Sequence, residues 1–310
     1  MNECRNKRRF TDLVATVLLL SLMAHGSLAL ESPGPGTTEI MLPNSDRSYA
    51  IHVPETDSRS PSPLVIVLHD TGGNGKGMLR LGNFVSNSEK HKYIVAAPNS
   101  LGSAFNEGSG RIGSDMMQVD DTAFIKSVIA DVGKRVRIDP GKVFVAGFSS
   151  GAAMAQRLAV ELEDEVKAVA AVSGHLWVTD APIKIPRALL LVFGNRDPLN
   201  PINGGKVQYR PDLVLNKPPP RSTARDWAHK LECSTSLSAT TEKILRHKSW
   251  FGCRGDVLLR YIEIDGLGHY WAGGPVKKYS TPARVGPYLG SVDMTEVMWD
   301  FFLQVTRPDD

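Results

Sequence analysis

Between Pro63 and Pro198 the chain alternates short, continuous apolar runs with segments of helical period, and this alternation restricts the possible folds more than any other feature. Leu64 to Leu68, Tyr93 to Ala97, Val143 to Ala146, Val166 to Val172 and Ala188 to Phe193 are such runs. An uninterrupted β-branched or aliphatic run marks a strand buried on both faces, as in a parallel sheet. Between them, Asp120 opens an amphipathic segment with Phe124, Ile125, Val128, Ile129 and Val132 at helical spacing, and Ala152 to Glu161 continues the pattern. Downstream, Ser222 to Leu231 reads as a helix and Val257 to Ile264 as a strand. Asp293 to Leu303 is a final helix, with Asp293 and Glu296 spaced as a capping box. Thr38 to Leu42 and Ser48 to Val53 add two short strands before the series begins. Strands alternating with helices predict an α/β fold, a mostly parallel sheet covered by helices on both faces. Residues 198–221 are Pro-rich without periodicity and read as a surface excursion near the site.

Composition closes off other classes. An apolar fraction of 42% with 22% charged residues is that of a packed protein, not a disordered polymer. The N-terminus stands apart. Lys7, Arg8 and Arg9 precede the apolar stretch Leu13 to Met23, and Ser27 and Ala29 place small residues at −3 and −1 of a cleavage site. That is the pattern of a secretory signal peptide, too short to span a bilayer comfortably. Arg8-Arg9 raises twin-arginine export, but the neighbouring residues match that signal poorly. We therefore expect a signal over residues 1–29 and one catalytic domain over 30–310, secreted or periplasmic, with no stable membrane insertion after cleavage. Cleavage removes four basic and two acidic residues, so the net charge of +3 falls to +1. No basic stripe remains, and nucleic acid is not an expected partner. The remaining cysteines, Cys233 and Cys253, suit one disulfide in an exported chain, closing a loop of about 20 residues; two buried free thiols are the alternative.

The chemistry centres on Gly147-Phe148-Ser149-Ser150-Gly151. A bare G-x-S-x-G is a weak signal, but here a strand runs into it and a helix runs out. Such a turn strains the middle residue and exposes Ser149 at a helix N-terminus, where developing negative charge is favoured. A serine hydroxyl needs a base, and the base needs a carboxylate. Asp197 follows the Ala188–Phe193 strand, and His269 lies on the Gly-rich loop after Val257–Ile264. Ser…Asp…His is the chain order of the α/β-hydrolase arrangement. Of the other histidines, His175 follows a strand but precedes the acid, and it competes poorly. Backbone amides of Ser150 and Thr71, the latter in the loop His69-Asp70-Thr71-Gly72-Gly73, are the expected oxyanion donors. Asp120 and Asp121 read as helix-capping carboxylates rather than a metal site. Trp271, beside His269, and Trp177 are candidate substrate-binding walls.

With these residues in place, the chain resembles secreted α/β-hydrolase esterases grouped with polyhydroxybutyrate depolymerases and feruloyl esterases, over about residues 38–303. The resemblance rests on the His69–Gly73 loop, Asp120-Asp121 with Phe124, the turn at Ser149, and Asp197 followed by Gly204-Gly205. It extends to Trp227 with Cys233, then Cys253, then Gly268-His269-Tyr270-Trp271-Ala272-Gly273-Gly274. It implies Ser149, Asp197 and His269 as nucleophile, acid and base, and a Cys233–Cys253 disulfide. Two positions depart from the family pattern: Asp70 stands where Gly is usual, and Ala272 where Pro is common. The expected activity is hydrolysis of a small or polymeric carboxylic ester through an acyl-enzyme, with no cofactor and no metal. A peptidase using the same groups, or a binding protein that has kept the scaffold and lost turnover, are the alternatives.

Overall fold

The computed structural model describes residues 32–56, 60–110, 118–211, 213–234, 237–275 and 282–306. The expected signal segment lies outside these residues.

The apolar runs become the centre of a ten-stranded sheet. In chain order its strands are β1 (Gly36–Met41), β2 (Ser48–Val53), β3 (Ser62–Leu68), β4 (Ile94–Pro98), β5 (Ile138–Phe148), β6 (Ala168–Val172) and β7 (Ala188–Gly194). A separate hairpin, β8 (Gly205–Arg210) and β9 (Leu213–Lys217), interrupts the series before β10 (Leu237–Glu242), β11 (Leu245–Trp250) and β12 (Leu259–Ile264) complete it. The spatial order is β1-β2-β4-β3-β5-β6-β7-β12-β11-β10. β4, β3, β5, β6, β7 and β12 are parallel, and antiparallel strands close each flank.

Side-chain alternation explains why the central runs are unbroken. Leu64, Ile66 and Leu68 of β3, Val143 and Val145 of β5, and Leu189, Leu191 and Phe193 of β7 face one core. Their neighbours Val65, Val67, Phe144, Ala146, Leu190 and Val192 face the other. Helices α3 (Asp121–Arg135), α4 (Ser150–Glu161) and α5 (Pro220–Lys230) cover the first face through Ile125, Val128, Leu158 and Trp227. Helices α1 (Gly75–Leu81), α2 (Phe84–His91) and α7 (Met294–Gln304) cover the second through Met78, Phe84, Met298 and Phe302. A short turn of helix, α6 (Pro282–Val285), precedes α7.

Several expectations need correction. Residues 198–221, read as an aperiodic surface excursion near the site, contain the regular β8–β9 hairpin. Of the two expected capping carboxylates only Asp120 caps α3, accepting from the Ala123 amide at 2.9 Å. Asp121 is buried and pairs with Arg47 at 2.5 Å while accepting from the Asn106 amide at 2.6 Å. The Arg47 guanidinium also lies 3.4 Å over the Phe124 ring. At α7 half of the capping box forms: Asp293 accepts from the Thr295 and Glu296 amides, but the Glu296 carboxylate turns to Asn87, Lys90 and His91. Cys233 and Cys253 are joined in a disulfide.

Candidate active site

β5 delivers Ser149 directly to the start of α4. Its backbone, at φ 56° and ψ −118°, lies in a region that side-chain-bearing residues rarely occupy. Neighbouring bonds hold it there. The Ser149 amide donates to Val172 O at 2.9 Å, and its carbonyl accepts from the Ala152 and Ala153 amides, each at 3.1 Å. The two glycines of the motif are a packing requirement: a Cβ on Gly147 would meet the Gly151 carbonyl, and one on Gly151 would meet the carbonyls of Leu68 and His69. No side chain fits at either place.

Asp197 and His269 hang from the ends of β7 and β12, adjacent parallel strands. Asp197 Oδ1 accepts from the amides of Leu199 at 2.8 Å and Asn200 at 2.9 Å. Its Oδ2 lies 2.7 Å from His269 Nδ1, and His269 Nε2 lies 3.0 Å from Ser149 Oγ. The residues after Pro282 brace the histidine loop, the His269 amide donating to Val285 O and the Gly268 amide to Pro287 O. Burial by itself would raise the Asp197 carboxyl. The adjacent His269 charge and hydrogen bond, with the two amides, outweigh it and hold the group below the usual carboxylate range. A carboxylate that stays ionised fixes the proton of a neutral imidazole on Nδ1 and leaves Nε2 as the acceptor facing the hydroxyl.

Ser149 and His269 open onto a cleft of about 240 Å³. Leu81, Phe148, Leu199, Tyr209, Tyr270 and Val285 supply apolar and aromatic walls, and Asp70, Thr71 and Arg284 supply polar ones. Thr71 and Ser150, expected in sequence as amide donors, are brought together: Thr71 Oγ1 donates to Ser150 Oγ at 3.0 Å. The loop carrying Thr71 is stitched to its neighbour by Gly72 N to Ser103 O and by Ser100 N to His69 Nε2. Trp271 reaches the cleft, yet the residue is only 1% exposed; its ring packs on Phe84 and Phe148 and donates Nε1–H to Thr295 Oγ1. Trp177 is not among the residues lining the cleft; its ring lies against His175 with the Lys217 ammonium 5.5 Å above it. Tyr209, Leu199 and Arg284 were not anticipated. Tyr209 belongs to the hairpin hidden in the Pro-rich stretch, where Pro211-Asp212, between the two strands in sequence, is the turn signal that could have shown it. A larger groove, about 870 Å³, opens at the other ends of the strands beside Lys142, Arg187 and Phe251. None of its described lining residues is a serine, cysteine or histidine, so chemistry selects the smaller cleft.

Comparisons with known proteins agree with this architecture. A family model described as Phospholipase/Carboxylesterase matches residues 51–244. NocK of Nocardia uniformis subsp. tsuyamanensis, provisionally named an esterase, is 27% identical over 86% of this chain and 81% of its own length. Feruloyl esterase C of Emericella nidulans is 28% identical over 62% of this chain and 73% of its own. Among solved structures, an acetyl xylan esterase from Aspergillus awamori superposes with a TM-score of 0.57 at 16% identity, covering 76% of this chain and 94% of that one.

Proposed function

Because the chain belongs to the phospholipase/carboxylesterase family, on the α/β-hydrolase fold, we propose that it is an exported esterase working through Ser149, His269 and Asp197. Its reaction class is carboxylic ester hydrolysis. What carries the assignment of roles is the unbroken relay of 2.7 Å and 3.0 Å contacts from Asp197 through His269 to Ser149 Oγ. His269 Nε2 takes the hydroxyl proton as Oγ attacks the acyl carbon. The negative oxygen of the tetrahedral intermediate is received by the Ser150 and Thr71 amides, with the α4 N-terminus adding its dipole. The imidazolium returns its proton to the departing alcohol. Water then repeats the sequence on the acyl-enzyme and releases the acid.

The apolar and aromatic walls of the cleft support an ester with an apolar or aromatic acyl group, as in a feruloyl or short polyester substrate. The disulfide supports maturation in an oxidising compartment, in keeping with export. A fluorophosphonate probe tests the nucleophile: it should label the folded protein at Ser149, and Ser149→Ala should lose both labelling and turnover, with kcat down at least about 10⁴-fold. A folded wild type that resists labelling would favour the binding-protein alternative. Release rates from p-nitrophenyl butyrate, methyl ferulate, a hydroxybutyrate oligomer and a chromogenic peptide then rank the substrate classes, and preference for the peptide would overturn the esterase assignment.

A further inference from the structure

Seven buried side-chain nitrogen or oxygen atoms among the described residues have no hydrogen-bond partner, and three of them belong to residues gathered behind Asp197. They are Ser173 Oγ and His175 Nε2, on the chain leaving β6, and Asn200 Oδ1, three residues beyond Asp197. Each of these residues is at most 3% exposed. Asn200 ties the two segments together: its backbone amide holds Asp197 Oδ1 at 2.9 Å, while its Nδ2 donates to Ser173 O at 2.8 Å. His175 is anchored on the other side, Nδ1 lying 2.9 Å from Thr223 Oγ1 of α5.

Burial, with the Lys217 charge, pushes the His175 imidazole down to about 3, against smaller opposing effects of Asp197 and Asn200. The ring is therefore neutral throughout the working range. The Asn200 side chain is close enough to act on that ring, yet neither Nε2 nor Oδ1 meets a partner at hydrogen-bond geometry. Two tautomers are open to His175: Nδ1–H donating to Thr223 leaves Nε2 an acceptor, and Thr223 O–H donating to Nδ1 leaves Nε2–H a donor. Asn200 Oδ1 only accepts, and Ser173 Oγ does either. A ligand that both donates and accepts serves all three atoms in either tautomer, and water is the smallest such ligand.

We propose that Ser173 Oγ, His175 Nε2 and Asn200 Oδ1 hold one buried water, and that through it His175 and Asn200 are positioning residues for Asp197. The inference rests on Asp197 being the acid of the relay. The water joins the chain leaving β6 to the loop that carries Asp197. Asn200 converts that junction into the orientation of the carboxylate, by the amide bond to Oδ1. Neither residue touches substrate.

The test compares His175→Phe, His175→Gln, Asn200→Ala and the double variant His175→Phe/Asn200→Ala on p-nitrophenyl butyrate between pH 5 and 8. Displacing Asp197 slightly should lower kcat about 10- to 100-fold with KM within about twofold. The acid limb of kcat/KM should move to lower pH, because a misplaced carboxylate stabilises the imidazolium less. The double variant should be no slower than the slower single variant, since both break one unit. His175→Gln, whose amide can still reach the water, should recover most of kcat. A high-resolution crystal structure should show one water within about 3.2 Å of all three atoms. Folded His175→Phe with wild-type kcat and acid limb, lower in Tm alone, would make the cluster merely structural and overturn the proposal. Direct contacts among the three atoms with no water between them would overturn it equally. If Asn200→Ala does not fold, the His175 pair decides by itself. Turnover surviving in Ser149→Ala removes the functional reading and this one together, whereas Ser149-dependent turnover with indifferent His175 variants removes only this one.

Discussion

Asp197, the acid of the proposed relay, links stability to chemistry in one carboxylate. It is buried, yet it keeps its charge because two backbone amides and an imidazole converge on it. Its carboxyl is held below the usual range when folded, so its contribution is present above the unfolded carboxylate value and is lost as pH falls through the depressed folded value. Above that depressed value the carboxylate therefore remains ionised. The acid limb of kcat/KM should accordingly follow a single proton, tenfold per pH unit, and a slope of two would contradict it. Asp197→Asn keeps the shape but offers the wrong partner to Nδ1–H, and kcat should fall about 10⁴-fold, with Tm falling as the carboxylate's contribution is lost. These residues were largely legible beforehand. Ser149, Asp197 and His269 stand at strand ends in the expected chain order, and that spacing is local information. Asn200, His175 and Ser173 were not, because their partnership joins the ends of two strands and leaves no periodic trace.

At the scale of elements, legibility followed burial. β3, β5 and β7 were readable because both of their faces are covered, which leaves an unbroken apolar run. β10 and β11, with the sequences LSATTE and LRHKSW, are flank strands whose polar residues give no such run. α1 escaped notice because Gly75 and Gly77 dilute its pattern; its start is set by Asn74, which accepts from the Gly77 amide. Asp121 escaped for another reason. Its partner Arg47 lies 74 positions earlier, and local spacing explains only the capping role that Asp120 alone fills. The Arg47–Asp121 pair, with side chains 7% and 1% exposed, pins the β1–β2 turn to the start of α3. Removing one partner strands the other charge in the core. Asp121→Asn should cost about 3–5 kcal/mol in chemical denaturation, far more than the same change at exposed Asp120. Equal losses at the two positions would show that capping, not pairing, is what Asp121 contributes.

Taken whole, the molecule has its proposed reactive groups at the sheet and its cleft walls partly on appendages. The expected leader and the Cys233–Cys253 disulfide make a joint prediction for the exported protein: an intact mass beginning at Leu30 and lighter by two hydrogens. Retention of residues 1–29, or a mass with both thiols present, would contradict export in the form proposed. Ser149, Asp197 and His269 follow β5, β7 and β12, whereas Tyr209 comes from the β8–β9 hairpin and Arg284 from the short turn before α7. Among the described residues that hairpin shares no strand pairing with the main sheet, so it is tied to the body of the protein by buried side chains such as Val207 and Leu215 rather than by a strand ladder. In the proposed esterase, Tyr209 at the rim can therefore be exchanged to alter the preference for one ester over another without touching the strands that carry Ser149, Asp197 and His269.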